Sequence, residues 1–310
     1  MEQRTPNEIN NMVSVIIPTH NRVDLLPRAI DSVLNQTYND IEIIVVSDGS
    51  TDGTDAFMQR YEANKRIKYI NYSPARGGNY ARNTGFNAAQ GEFVAFLDDD
   101  DEWLPTKIEK QVALMESDTS VGLTYTGINC IYVNEDISYP FIPTLKGDLS
   151  KEILFQNCVG STSSVMLRSS FCQNCRFDEN LQALQDFDLW IAVLQGCKAD
   201  VVSEPMVNYY NYRNQTQVSS STAKYIQATE YINKKYTDLF GKLTPQEYKL
   251  KRMNDIMLLG NKAMRNNSPK EARKFFCKAF HERPSISPVV SWTLSFFGYK
   301  NMLRLKSKLK

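Results

Sequence analysis

Histidine is almost absent: the 310-residue chain holds two, His20 and His281. A metal centre built on imidazoles is thereby excluded. No apolar run approaches the roughly 18 residues that a membrane-crossing helix needs. The N-terminal stretch Met1–Asn11 is polar and lacks the hydrophobic core of a secretion signal. These absences point to a cytoplasmic protein. Charge imbalance is missing too, with 36 Lys and Arg against 35 Asp and Glu, so no overall field draws the chain to nucleic acid. The six cysteines are scattered, and Cys172-Gln-Asn-Cys175 has no second pair at zinc spacing. Two phosphate-binding fingerprints are also missing. There is no G-x-x-x-x-G-K-[ST], and no G-x-G-x-x-G after the first strand.

What is present suits a folded domain with a sizeable core, since hydrophobic residues make up 42% and charged residues 23%. Residues 13–17, 41–46, 67–71 and 93–97 read as strands. Helical patterns fall between them, at about 23–36, through Phe57 and Tyr61, and from Arg76 to about Gln90. Four alternations of strand and helix imply right-handed crossovers and a parallel sheet. A helix at 107–116 follows, then strands at 121–126, 128–133 and 163–167, a helix at 184–195, and strands at 200–203 and 207–212. Residues 134–150 read as loop. Beyond about residue 219 only helical patterns remain. The expected division is therefore 12–218 and 219–310.

The fourth strand ends in Asp98-Asp-Asp-Asp101. In an open α/β sheet, ligands bind at the carboxyl ends of the strands. Alternation along extended backbone would aim Asp98 and Asp100 at one ligand and turn Asp99 aside, with Asp101 serving the start of the next helix. Two converging carboxylates suit a hard divalent ion shared with a phosphate. Alone, the tetrad reads more readily as a solvated acidic turn capping a helix that starts near Pro105. The other strand ends carry Pro18-Thr-His-Asn-Arg22 and Ser47-Asp-Gly-Ser50, and Arg82 sits on a glycine-containing helix. Together these groups describe a nucleotide-diphosphate site.

Val13-Ser-Val-Ile-Ile-Pro-Thr-His-Asn-Arg22, the Arg28–Tyr38 helix, Ile43–Thr54, Ala81-Arg-Asn-Thr-Gly85 and Phe96–Asp101 occur in this order. Together they resemble the inverting family 2 glycosyltransferases of GT-A fold, over roughly residues 12 to 215. The resemblance implies a Rossmann-like, mostly parallel sheet flanked by helices, followed by a helical C-terminal region. It implies a nucleotide-sugar donor, a UDP-sugar, and Mn²⁺ or Mg²⁺ held by Asp100 and Asp98. Donor binding would fall to Pro18, Thr19, Asn21, Arg22, Asp48, Gly49, Ser50, Arg82, Asp98 and Asp99, with Asp48 taking the imide N–H of a uracil-type base. Asp186 would be the general base toward a glycan or lipid-linked saccharide acceptor in cell-surface polysaccharide synthesis, with Asp188 as its rival. The two lie about 200° apart on a helix, so they do not face one acceptor together. Trp190 reads as packing or as a wall of the acceptor cleft. Ser47 stands where many relatives carry an acid, and Gln185 replaces a Glu before the base. The alternative to an enzyme is a non-catalytic nucleotide-sugar-binding or scaffold protein of the same fold. From Pro284 onward the tail has no acid and mixes Trp292, Phe296 and Phe297 with Lys300, Arg304, Lys306, Lys308 and Lys310. That composition suits a helix lying on an anionic membrane surface.

Overall fold

In the computed structural model, which describes residues 11–212 and 221–308, strand and helix alternate from the first element. β1 (Val13–Thr19), α1 (Leu26–Leu34), β2 (Ile41–Asp48), α2 (Thr54–Met58), β3 (Ile67–Tyr72), α3 (Gly78–Ala88) and β4 (Phe93–Phe96) follow in order. β1 pairs in parallel with β2 and β4, and β2 with β3. These strands are nearly continuous apolar runs because both sheet faces are covered. Val13, Val15 and Ile17 pack with Leu26, Ala29 and Ile30 of α1 on one face. Ile16 joins Phe86 and Phe96 on the other. Helix α1 starts three residues later than its apolar pattern implies, with Pro27 in the first turn, where its missing N–H costs nothing.

Gly85 lets α3 lie tight against the sheet: a Cβ there would come within 2.4 Å of Ile16 Cγ2. Gly85→Ala is expected to lower stability by about 1–2 kcal/mol, overpacking outweighing the gain in helix propensity. Thermal or urea unfolding reads the loss, and an unchanged midpoint would mean that the sheet and helix give way freely.

The second half contains β5 (Glu102–Trp103), α4 (Lys107–Ser117), β6 (Val121–Tyr132), β7 (Ile137–Phe141), β8 (Val165–Arg168), α5 (Gln185–Leu194) and β9 (Lys198–Asn211). The sheet runs β3-β2-β1-β4-β8-β6-β9-β5, with β7 on β6. β8 is antiparallel to both β4 and β6, while β6 and β9 are parallel again. The two short strands expected at 121–126 and 128–133 are one strand, β6, and those at 200–203 and 207–212 are one strand, β9. Register shifts around Gly127 break the apolar pattern without ending the pairing. β7 lies in the segment read as loop; among the described residues it pairs with β6 alone, at the edge of the sheet path, where its Pro140 is tolerated.

The helices α6 (Thr222–Lys235), α7 (Thr237–Phe240), α8 (Pro245–Arg265), α9 (Pro269–Glu282), α10 (Ile286–Leu294) and α11 (Gly298–Lys308) complete the chain. α8 begins on a capping box between Thr244 and Glu247. The helical region shares the main core: Tyr225, Ala228, Ile232, Phe240 and Leu259 pack in one cluster with Leu189 and Trp190 of α5. The expected boundary at 218/219 lies outside the described residues, as do the first ten residues of the polar N-terminal stretch. No described helix is long and apolar enough to cross a membrane.

Candidate active site

The carboxyl ends of β1, β2 and β4 open on a cavity of about 820 Å³. Pro18, Thr19, Arg22, Asp48, Arg82, Asp98, Asp99, Asp100 and Asp186 all line it. Asn21, Gly49 and Ser50 do not. They hold the neighbouring loops together instead. Ser50 Oγ accepts from the Asn21 N–H at 3.1 Å, and Asn21 Oδ1 accepts from the Thr51 N–H at 2.7 Å. Gly49 has φ 65°, and a Cβ on it would sit 2.7 Å from Ala75 N. Glycine at that point lets the following segment close over Asp48. The two Asp48 carboxylate oxygens accept from the N–H groups of Arg76 (2.6 Å) and Gly77 (2.8 Å).

The four acids do not alternate as an extended strand would. β4 stops at Phe96, and the chain turns, with the Asp101 N–H donating to the Asp98 carbonyl at 3.0 Å. Asp99 is therefore not turned aside: Asp98, Asp99 and Asp100 all face the cavity. Arg82 donates to Asp98 at 2.6 Å, and Arg22 donates to Asp99 at 2.8 Å and to Asp100 at 3.1 Å. Two guanidiniums thus offset the clustered charge. Burial, only partly opposed by Arg22, pushes the Asp99 carboxyl up to about 6. Asp101 does not start the next helix either. It is fully buried, accepting from the Ser163 hydroxyl at 2.6 Å and the Tyr210 N–H at 3.1 Å. It ties the turn to β9, while α4 begins behind Thr106. Burial, then Asp100 and Asp98, raise its carboxyl well above the usual range.

Asp186 occupies the first turn of α5 and looks into the cavity. One oxygen accepts from the Phe187 N–H at 2.8 Å, the other from Asn157 at 3.4 Å. Burial raises its proton affinity; Lys262 and Arg82 oppose that rise and Asp98 adds to it. Asp188 lies off the cavity, on the other side of the helix. It is buried against Lys235 at 2.8 Å, and the Tyr236 hydroxyl donates to its carbonyl. The rotation of about 200° between the two positions separates them. Trp190 is fully buried and donates its indole N–H to the Gly160 carbonyl, so it packs the core rather than walling the cavity.

One wall was not legible in the sequence. Tyr209 and Tyr210 of β9, Tyr225 of α6, Asn254, Asn261 and Lys262 of α8, and Ser287 of α10 also line the cavity. Lys262 lies over the Tyr225 ring at 4.2 Å. Burial and then Arg265 lower its proton affinity to about 8, with Asp186 opposing them. In the sequence it is one basic residue among several along an amphipathic helix, and nothing local marks the face that meets a cavity assembled from the other end of the chain. The cavity thus gathers the acids of the turn, the Arg22 and Arg82 guanidiniums, and the Asp186 carboxylate along one lining.

Residues 14–171 match the family described as Glycosyl transferase family 2. The UDP-Glc:alpha-D-GlcNAc-diphosphoundecaprenol beta-1,3-glucosyltransferase of Escherichia coli is 31% identical over 189 residues, covering 61% of this chain and 72% of that protein. A putative teichuronic acid biosynthesis glycosyltransferase of Bacillus subtilis is 30% identical over 223 residues, covering 71% and 86%. Among solved structures, the mannosyltransferase PcManGT from Pyrobaculum calidifontis, in complex with GDP-Man and Mn²⁺, superposes with a TM-score of 0.61. Its identity is 18%, over 97% of this chain and 84% of that one. That likeness is one of fold, the GT-A arrangement of a curled, mixed α/β sheet.

Proposed function

This chain belongs to glycosyl transferase family 2 and is a glycosyltransferase, and on that premise we propose that it moves one sugar from a UDP-sugar to a glycan or lipid-linked saccharide, with inversion, in cell-surface polysaccharide synthesis. The observation that carries this reading is the single cavity shared by Asp98, Asp99 and Asp100 with Asp186. The Escherichia coli relative, named for a UDP-sugar donor and a diphosphoundecaprenol-linked acceptor, supports the substrate classes. The Bacillus subtilis relative, named for teichuronic acid biosynthesis, supports the polysaccharide context.

In this reading Asp186 takes the proton of the acceptor hydroxyl as that oxygen bonds to the anomeric carbon. The bond from that carbon to the phosphate oxygen breaks on the opposite face, and its electron pair leaves with the nucleoside diphosphate. Arg82 and Arg22 supply positive charge on the donor side. Arg82 Nε is buried with no hydrogen-bond partner among the described residues, which suits an incoming phosphate oxygen. Asp48 has lone pairs beyond those used by Arg76 and Gly77, and one of them takes the uracil imide N–H. Pro18 and Thr19 line the same end.

A divalent cation, Mn²⁺ or Mg²⁺, fits this donor set. Asp98 and Asp100 offer hard oxygens on the cavity wall, and no cluster of three or more metal-binding side chains gathers among the described residues. A cation held by two carboxylates and completed by phosphate and water matches that supply. When bound, it offsets charge on the leaving diphosphate. Incubation with a panel of nucleotide sugars and lipid-linked acceptors, with Mn²⁺ or Mg²⁺ and then with a chelator, tests the proposal. The expected result is cation-dependent transfer from a UDP-sugar with an inverted anomeric centre in the product. Nucleotide-sugar binding without transfer to any acceptor would favour the non-catalytic reading.

The tail supports peripheral contact with an anionic membrane. Ile286, Val289, Val290, Phe296 and Phe297 are exposed, beside exposed Lys300, Arg304 and Lys308. The same α10 contributes Ser287 to the cavity, so a membrane under this helix would lie near the acceptor entrance. Ile286→Glu/Phe297→Glu is expected to weaken binding to phosphatidylglycerol vesicles by about tenfold or more, each side chain losing apolar insertion. Equal vesicle binding by the variant and the parent would remove the membrane from the proposal.

A further inference from the structure

Asn261 and Lys262 reach the cavity from α8, and Tyr225 from α6, on a wall that the transfer as described leaves unused. Lys262 is the cation of that wall. Its ammonium rests over the Tyr225 ring at 4.2 Å, and it takes part in none of the ion pairs formed among the described residues. The other cations around it differ. Lys251 of the same helix is bound to Asp255 at 2.6 Å, Arg252 to Glu282 at 3.1 Å, and Arg22 and Arg82 to the acidic turn. Arg265, one turn further on, adds like charge and no relief. Asp186 acts on Lys262 through space, without a direct bond. A partly buried ammonium without a counter-ion is costly to the fold. Lining the same cavity as Asp186, it is a cation whose partner arrives with a ligand.

We infer that Lys262, with Asn261 beside it, forms an anion subsite on the acceptor side of the cavity, and that it receives the diphosphate joining the acceptor sugar to its carrier. This inference rests on the glycosyltransferase reading above. In that reading the donor's own diphosphate meets Arg82 and Arg22 at the acidic turn, so a second cationic point serves a second anion. In an acceptor of this class the phosphate is on the anomeric carbon, and the attacking hydroxyl is elsewhere on the same ring. A base and a cation entering one cavity from different helices fix both ends of that ring, which orients the hydroxyl for attack. A charge-assisted contact of this kind also discriminates a carrier-linked saccharide from a free one.

The test is calorimetry on the full chain saturated with UDP and Mg²⁺, titrated with octyl diphosphate and separately with octanol. The parent protein is expected to bind octyl diphosphate and not octanol. Lys262→Met is expected to weaken the diphosphate by about ten- to a hundredfold, the worth of a hydrogen bond to a charged group, and to leave UDP affinity unchanged. Lys262→Arg, which keeps the charge, should retain most of the affinity. Unchanged octyl diphosphate binding by Lys262→Met overturns the inference, as does loss of UDP binding in its place, which would assign the cation to the donor. Absence of octyl diphosphate binding by the UDP-saturated parent overturns it as well. Failure of the parent to bind UDP at all would count against the UDP-sugar donor proposed above, and is seen before the second ligand is added.

Discussion

Asp186→Asn is expected to lower the transfer rate by about three orders of magnitude while UDP-sugar affinity stays within a few-fold. General-base catalysis of this kind contributes roughly 10²–10⁴ in rate, and an amide cannot take the proton. The substitution is nearly isosteric: Asn Oδ1 can still accept from the Phe187 N–H that now bonds to Asp186 Oδ1. Stability supplies the control. Burial raises the folded-state pKa of Asp186 above its ordinary value, so the folded chain holds this proton to higher pH than the unfolded chain does. Stability then falls as pH rises through that window, and the ionised carboxylate is a cost at neutral pH. Removing it should leave the thermal midpoint equal or higher. The same shift places the acid limb of kcat/KM above the usual aspartate range, with activity lost as pH falls and the base becomes protonated. In Asp186→Asn that limb disappears along with the rate. Transfer undiminished by the substitution would sink the assignment, and the proton would then have to go to another group.

The parallel half of the sheet was readable because its strands are buried on both faces and end in polar clusters. Val13–Ile17, Ile41–Val46 and Phe93–Phe96 are apolar runs whose carboxyl ends, in a parallel sheet, share one edge. What those runs could not give was the backbone beyond them. Alternation predicted Asp99 to face away, but it assumes an extended chain, and the turn closed between Asp98 and Asp101 brings three acids to the cavity. Asp101 escapes the local pattern for a related reason. Its partners, Ser163 and Tyr210, lie about sixty and a hundred residues away in sequence, and no local pattern announces a buried carboxylate. Helix rotation correctly separated Asp186 from Asp188, since that angle is local. The α8 wall was not readable, because an amphipathic helix shows which of its faces is apolar and not which of its lysines meets a distant cavity.

Arg22→Met is expected to lower stability by about 3 kcal/mol in the presence of chelator, and to make the protein depend more on divalent cation than its parent does. Arg22 neutralises two carboxylates whose side chains are only 4% and 12% exposed, those of Asp99 and Asp100. Removing one member of such a pair leaves uncompensated buried charge, at roughly 3–5 kcal/mol. The 24% exposure of the Arg22 side chain sets the expected loss at the lower end. Arg28 cannot stand in, because its hydrogen bond goes to the Asp100 carbonyl and not to the carboxylate. A cation at Asp98 and Asp100, as proposed, would stand in. Ligand binding to the folded state stabilises it by about 2.7 kcal/mol at a hundred times the dissociation constant, close to the charge term that the arginine supplied. Thermal unfolding with and without Mg²⁺ should therefore show a larger cation-induced shift in Arg22→Met than in the parent, where guanidinium and metal share Asp100. Arg22→Lys, which keeps a point charge without the two-pronged geometry, should fall between them. Two results would count against this account. Unaltered stability in chelator would mean that the guanidinium does not balance the turn, and an equal Mg²⁺ shift in variant and parent would mean that the cation does not bind at Asp98 and Asp100.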